Sequence, residues 1–388
     1  MPRKIVFPIL VFISLVFSAC NLVITSTPSA TPMNTGGSPS EALATPTLAP
    51  TSTVGPTATS PAATATALPS NTVVPAAPST VPPISTPTAA NYIDDRSTPS
   101  QVIVSFYNAI NRQEYSRAFS YYSDSATTLG SFTTFANGYQ DTVSVNLVFG
   151  QISGDAGMSQ VHYIIPVILK ATTKNNGHTN YAACYVVHEA NPDVYGSPPI
   201  FPMSIDSGSA TPANLNSSDA SVLAAACSGQ FTGGLTSFSA SANSLSIDKN
   251  NFVDNRSGPI ETVSSLLNAL NLKQYVRAYS YYQNTATYPG LYDPYAAGYS
   301  NTDTITVTFG TVISEGAAGS LYYKVPLAEK VLTTSNTTQT FVGCYTLRLG
   351  QPANQTTPPF QPMGITAGTF NLVANGANVA SLLPAACK

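Results

Sequence analysis

The chain has 388 residues, of which 9% are charged and 43% hydrophobic, against an average charged fraction near ~25%. Mean hydropathy is only +0.08, and no apolar run outside the N-terminus approaches the ~18–20 residues of a spanning helix, which excludes a multi-pass membrane protein. A net charge of −3 with 15 basic residues offers no cationic surface to neutralise phosphates and argues against a nucleic-acid partner.

Residues 1–19 place Arg3 and Lys4 before an almost wholly apolar stretch from Ile5 to Phe17, then Ser18 and Ala19 directly before Cys20. Basic start, short apolar middle and small-residue end are the three parts of an export signal. The small residues before Cys20 resemble the bacterial lipoprotein signal, although Phe17 stands where that signal usually has Leu. The resemblance implies cleavage that leaves Cys20 as a diacylglycerol-modified N-terminus, hence an extracytoplasmic protein held on the bacterial cell membrane. An ordinary secretory peptide or an uncleaved anchor are the alternatives. Residues 20–90 follow as Thr, Pro, Ala and Ser with Glu41 their one charged residue, which predicts a disordered stalk with no core of its own. Its reach is roughly 45 Å as a coil and up to about 200 Å as extended polyproline II.

From residue 91 to the end the chain aligns with itself at an offset of 160 residues without a net gap. Asn91, Asp94, Arg96 and Ser97 recur as Asn251, Asp254, Arg256 and Ser257, Tyr115 and Arg117 as Tyr275 and Arg277, and Tyr139 as Tyr299; about a third of aligned positions are identical. The chain is a tandem duplication, with one repeat over 91–228, a Gly- and Ser-rich linker over 229–250 and a second repeat over 251–388. Each repeat is large enough for its own core, and the linker predicts two beads free to reorient.

Within each repeat, Ser97, Thr98 and Pro99 start a helix carried by Val102, Ile103, Phe106, Tyr107 and Ile110, repeated with Leu266, Leu267 and Leu270. A second helix is expected from about Glu114 to Tyr122, and a further turn around Phe132 to Ala136. Residues 142–153, 160–172 and 180–189 are rich in Val, Ile, Thr and Tyr and read as antiparallel strands. Ala220 to Ala226 and Val379 to Ala386 read as terminal helices. Setting Cys20 aside, the remaining cysteines form two pairs with the same separation of 43 residues. In an exported chain, Cys184 with Cys227 and Cys344 with Cys387 read as disulfides rather than metal ligands. The class is α+β: two tandem copies of N-terminal helices followed by a curved antiparallel sheet.

Helices first and then an antiparallel meander, with Val102 to Asn111 followed by Tyr115, Ser116, Arg117 and Ala118, resembles the nuclear transport factor 2-like superfamily, whose sheet curls around helices to form a cone. The stapled C-terminal region departs from the usual ending on a strand. Members include isomerases, dehydratases and non-catalytic domains on exported proteins, so the resemblance does not choose a function.

Enzymatic members similar to ketosteroid isomerase place an Asp base in the cone, yet titratable candidates are few. His162, His178 and His188 fall in the first repeat only, opposite Tyr322, Thr338 and Arg348, so no histidine site is duplicated. The charged residues shared by both repeats are Asp94 with Asp254, Arg96 with Arg256, Arg117 with Arg277 and Lys170 with Lys330. Arg117 shares a helix face with Tyr121, so Arg117, Tyr121 and Tyr139, with Arg277, Tyr281 and Tyr299, are candidates for a pocket or binding surface. The alternative for Arg117 is pairing with Asp94 or capping carbonyls to hold the first helix; Asp94 and Arg96 are expected to tie down that helix's start. No catalytic signature such as H-E-x-x-H, G-x-S-x-G or a Walker loop occurs. The expectation is a non-enzymatic lipoprotein with no cofactor and no metal, binding a protein or carbohydrate partner. A cone-pocket small-molecule or isomerase-like enzyme and a purely structural envelope spacer are the other two readings.

Overall fold

Pro99 can open a helix because its missing N–H is unneeded in the first turn, and Thr98 caps it by accepting the Gln101 N–H. The first helix, α1 (Pro99–Asn111), buries Val102, Ile103, Phe106 and Ile110 completely. Three short helices follow: α2 (Tyr115–Phe119), α3 (Ser125–Leu129) and α4 (Phe132–Gly138). The sheet is built from β1 (Thr142–Phe149), β2 (Ser153–Ala156), β3 (Gln160–Thr173), β4 (His178–Ala190) and β5 (Ser204–Ala213), and α5 (Asp219–Ala226) closes the repeat. In the second repeat these are α6 (Pro259–Asn271), α7 (Tyr275–Tyr279), α8 (Tyr292–Gly298), β6 (Thr302–Phe309), β7 (Ile313–Ala317), β8 (Ser320–Thr333), β9 (Thr338–Gly350), β10 (Gly364–Val373) and α9 (Val379–Leu382). The computed structural model describes residues 91–157, 159–227 and 251–388; the expected signal peptide, Cys20, the stalk and the linker lie outside the described residues.

Both sheets are antiparallel throughout, ordered β1-β3-β4-β5 and β6-β8-β9-β10, with β2 and β7 pairing on β3 and β8. The α+β class and the two sheets match the expectation from sequence. Strand alternation assigns the two faces of the first sheet. Ile165 and Val167 on β3, with Ala183, Tyr185 and Val187 on β4, face α1 in one core. Ile168 and Ala182 face the other way and pack on Val222 of α5. Cys184 lies on that outer face, and its bond to Cys227 staples α5 to the sheet. Cys344 and Cys387 repeat the arrangement beside Ala328, Val342 and Leu383. Lys170 adds an ion pair to Asp219 at the start of α5, 3.0 Å; Lys330 has no such partner because Val379 stands at the equivalent position.

Several boundaries differ from the sequence reading. The second helix stops at Phe119, because the chain turns to pair Tyr121 and Ser123 with Ile205. The expected strand 142–153 is two strands, interrupted where the Gly150 N–H bonds the Pro166 carbonyl; a Cβ there would lie 2.9 Å from the Pro166 ring. Strand β5 and helix α3 were not anticipated. β5 reads Ser-Ile-Asp-Ser-Gly-Ser-Ala-Thr-Pro-Ala and is buried only at its first two residues, so it carries no apolar alternation. No described helix is long and apolar enough to cross a membrane, and two formed disulfides fit a chain that folds in an oxidising compartment.

Each bridge closes a loop with a sequence separation of 43 residues, for which chain entropy gives a stabilisation of about 4 kcal/mol. Urea unfolding with and without reductant is expected to show both repeats weakened on that scale. A double Cys184→Ser, Cys227→Ser variant is expected to weaken the first repeat alone.

Candidate functional site

Of the charged residues that recur in both repeats, Asp94 with Asp254 and Arg96 with Arg256 converge where the repeats meet, and Arg117 with Arg277 lie directly behind them. The segment before α1 is extended, so successive residues direct their backbone groups to opposite sides. Asp95 turns inward: its N–H and C=O both bond the Ser105 hydroxyl of α1. Asp94 and Arg96 therefore face outward, and what they meet is the same segment of the second repeat. The Arg96 N–H donates to the Asp254 carbonyl at 2.7 Å and the Arg256 N–H to the Asp94 carbonyl at 2.6 Å. The Ser257 hydroxyl accepts the Asp94 N–H at 2.8 Å, and the Ser97 hydroxyl accepts the Asp254 N–H at 2.9 Å. Asp95 and Asn255 set these serines by accepting the Ser97 and Ser257 N–H groups in short turns, and Asn255 also donates to Asp95 across the junction. The repeats are clasped by a pseudo-twofold pairing, which replaces the free reorientation expected from the linker.

Buried side chains brace the clasp from behind. The Asp94 carboxylate accepts from the Tyr121 and Tyr92 hydroxyls, and Asp254 accepts from Tyr281. The Arg96 guanidinium lies 4.3 Å over the Tyr121 ring and caps the Met203 and Ser120 carbonyls. Arg117 is only 1% exposed and donates to Glu114, Asn108 and the Ile93 carbonyl. Arg277 does the same with Gln274, Asn268 and the Val253 carbonyl. Arg117, Tyr121 and Tyr281 thus sit within the fold rather than around an opening, because their polar atoms are consumed in holding the segment that clasps. Asp94 and Arg96 do more than tie down a helix: they join two repeats.

A cleft of about 290 Å³ opens beside the clasp, lined by Arg277, Glu189, Ile200, Phe201 and Phe360 among others. Of the nominated pocket residues only Arg277 reaches it. Burial raises the Glu189 carboxyl above its ordinary range, and Tyr163 donates to it. Gln274 of the second repeat also donates to Asp193 of the first. On the outer face of the first sheet, His162 and His188 stack at 5.1 Å beside Asp206; His178 is exposed at the start of β4. Among the described residues no group of three or more His, Cys, Asp or Glu is placed to hold a metal ion.

The remaining nominated residues, Tyr139 and Tyr299, border the interior of each repeat, and the interiors differ. In the first, Tyr139 packs on Phe135 and Phe106, burial pushes its phenol up to about 12, and Tyr107 bonds Tyr185. In the second, the position of Leu169 is held by Glu329. It sits on β8 between buried Leu327 and Val331, opposite Val307 and Phe341, and is 8% exposed. Its Oε1 is sealed from solvent without a hydrogen bond. Desolvation raises its carboxyl to about 7, and its charge raises the phenols of Tyr288, Tyr299 and Tyr345 further. A carboxyl that titrates near neutrality inside a ring of phenols can accept a hydrogen bond, or exchange a proton with a bound molecule. Sequence reasoning passed over Glu329 because it sought charges common to both repeats; the signal was an acid facing Leu169 in the self-alignment. No protein-family model matches the chain, and no curated protein matches it.

The second repeat holds Gln274 where the first holds Glu114, in the same bond to the arginine. Glu114→Gln is therefore expected to cost within about 1 kcal/mol in urea unfolding, whereas Arg117→Met leaves buried Asn108 and the Ile93 carbonyl without their donor and the Glu114 carboxylate with Arg112 alone, and costs about 3 kcal/mol or more.

Glu329 also sets a pH dependence. Its folded value lies above its unfolded one, so stability is greatest below the ordinary glutamate range, falls as pH rises towards 7, and stays low beyond. The full loss is about 3 kcal/mol. Asp95, raised by burial to about 6, contributes in the same window. The difference between wild type and Glu329→Leu isolates Glu329: the variant is expected to melt higher at pH 8, with the gap shrinking towards pH 4.

Proposed function

We propose that the chain is a lipid-anchored, non-enzymatic surface protein that displays two clasped repeats as one binding body. Cys20 carries the anchor, and residues 20–90 act as the stalk. The clasp is the observation that supports this reading. It uses the shared aspartates and arginines for architecture, and it brings the loops 191–203 and 351–363 to one cleft. Phe201 stands 66% exposed at that cleft near the Glu189 carboxyl. An exposed aromatic beside a polar acceptor suits a carbohydrate or protein surface. The resemblance to the nuclear transport factor 2-like superfamily, a fold that hosts binding domains as well as enzymes, is compatible with a binding role and does not by itself select it.

A second reading, a small-molecule site inside the second repeat, is favoured by Glu329. The unpartnered carboxyl oxygen there is what a site for a bound molecule would contain.

Expressed in a bacterial host, the full chain is expected to partition into the detergent phase of Triton X-114, and a Cys20→Ser variant into the aqueous phase. Recovery of both in the aqueous phase contradicts the anchor. On glycan and surface-protein arrays, Phe201→Ser is expected to lose signal tenfold or more at unchanged melting temperature. A wild type silent on both arrays contradicts the binding role and leaves an envelope spacer.

A further inference from the structure

Among the differences between the two interiors, three fall together. Thr128, Phe135 and Leu169 of the first repeat are Tyr288, Tyr295 and Glu329 in the second. Tyr295 and Glu329 replace the buried apolar Phe135 and Leu169, and Tyr288 brings a third polar tip to a position where the first repeat has an exposed threonine. Tyr282 packs edge-on to Tyr288 at 5.4 Å and to Tyr295 at 5.6 Å, and Tyr295 packs edge-on to Tyr299 at 5.2 Å. Interplanar angles of 65–78° make these rings walls rather than a stack. Tyr288 and Tyr299 are the partly exposed members, while Tyr282, Tyr295 and Tyr345 are buried. The groups facing Glu329 are phenols held protonated by burial, together with Val307 and Phe341. The adjacent Lys330 is exposed on the opposite face of the strand, so no lysine or arginine among these groups answers the acid.

We propose that the interior of the second repeat is a binding site for a small organic cation, an alkylammonium head held by the Glu329 carboxylate and walled by Tyr288, Tyr295 and Tyr299. This rests on the small-molecule reading above and names its ligand class. An ammonium supplies the charge the acid lacks, and tyrosine faces attract a cation through their quadrupole while excluding water. The first repeat, with Leu169 and Phe135, does not bind such a ligand.

The test is calorimetric titration of the full chain with choline and with its neutral isostere 3,3-dimethylbutan-1-ol, at pH 8 and pH 5.5. Saturable choline binding is expected at pH 8, weakening fivefold or more at pH 5.5 as Glu329 takes up its proton. Glu329→Gln and Glu329→Leu, which retain the fold, are each expected to weaken it tenfold or more. Choline binding that survives Glu329→Leu unchanged overturns the proposal. Isostere binding as tight as choline, lost in Glu329→Leu, overturns the cation but keeps a small-molecule site. Absence of saturable binding by either probe overturns the cation site. If Glu329→Leu then also leaves the melting temperature unchanged at pH 8, the carboxyl is not buried as described and the small-molecule reading falls with it.

Discussion

The structure depends on how one extended tripeptide spends its backbone hydrogen bonds. At residues 94–96 the middle residue is satisfied by a serine of its own helix, so the flanking residues must find partners elsewhere. A second copy of the segment is a natural partner, because antiparallel pairing about a local twofold satisfies both at once. Duplication of the gene segment therefore supplied the partner together with the second domain. The two central pairings, 2.6 and 2.7 Å long, use Asp94, Arg96 and their counterparts, and the buried guanidiniums of Arg117 and Arg277 lock the segments by capping the carbonyls at 93 and 253.

From that constraint follows a division of labour. Features needed for the fold and the clasp are alike in both repeats: the arginine behind each segment, the tyrosine beneath each Asp, the disulfide on the outer sheet face. Features not bound by it differ. Phe201 and Glu189 at the junction face Gln361 and Leu349 in the second repeat, and Glu329 faces Leu169 in the first. Burying an acid in place of a leucine weakens the fold in ordinary terms. Sites that serve a ligand commonly carry such local costs.

Much of this architecture was legible in the sequence. The 160-residue offset defined the repeats, and Pro99 with the apolar spacing of Val102 to Ile110 defined the first helix. The equal cysteine separations gave both bridges. β5 was missed because an exposed edge strand of Ser, Gly and Thr has no apolar period to read. The clasp was missed for a different reason. Asp94, Arg96 and Ser97 look like a helix cap within one repeat, and only three-dimensional proximity shows that their donors and acceptors point across to the other. Arg117 and Tyr121 do meet, at 3.4 Å, although Tyr121 lies beyond the end of the helix, and burial turned a candidate binding pair into a brace. Glu329 was visible only as a difference between the repeats, where attention to shared charges could not find it.

The claim that the repeats form one clasped body is tested most directly by cutting the connection between them. Each disulfide lies within a single repeat, so a specific protease site inserted in residues 229–250 leaves no covalent link after cleavage. Co-elution of the two fragments at the size of the intact chain, lost in a Ser97→Ala, Ser257→Ala variant, is the predicted result. Elution of cleaved wild type as two separate domains at micromolar concentration contradicts it.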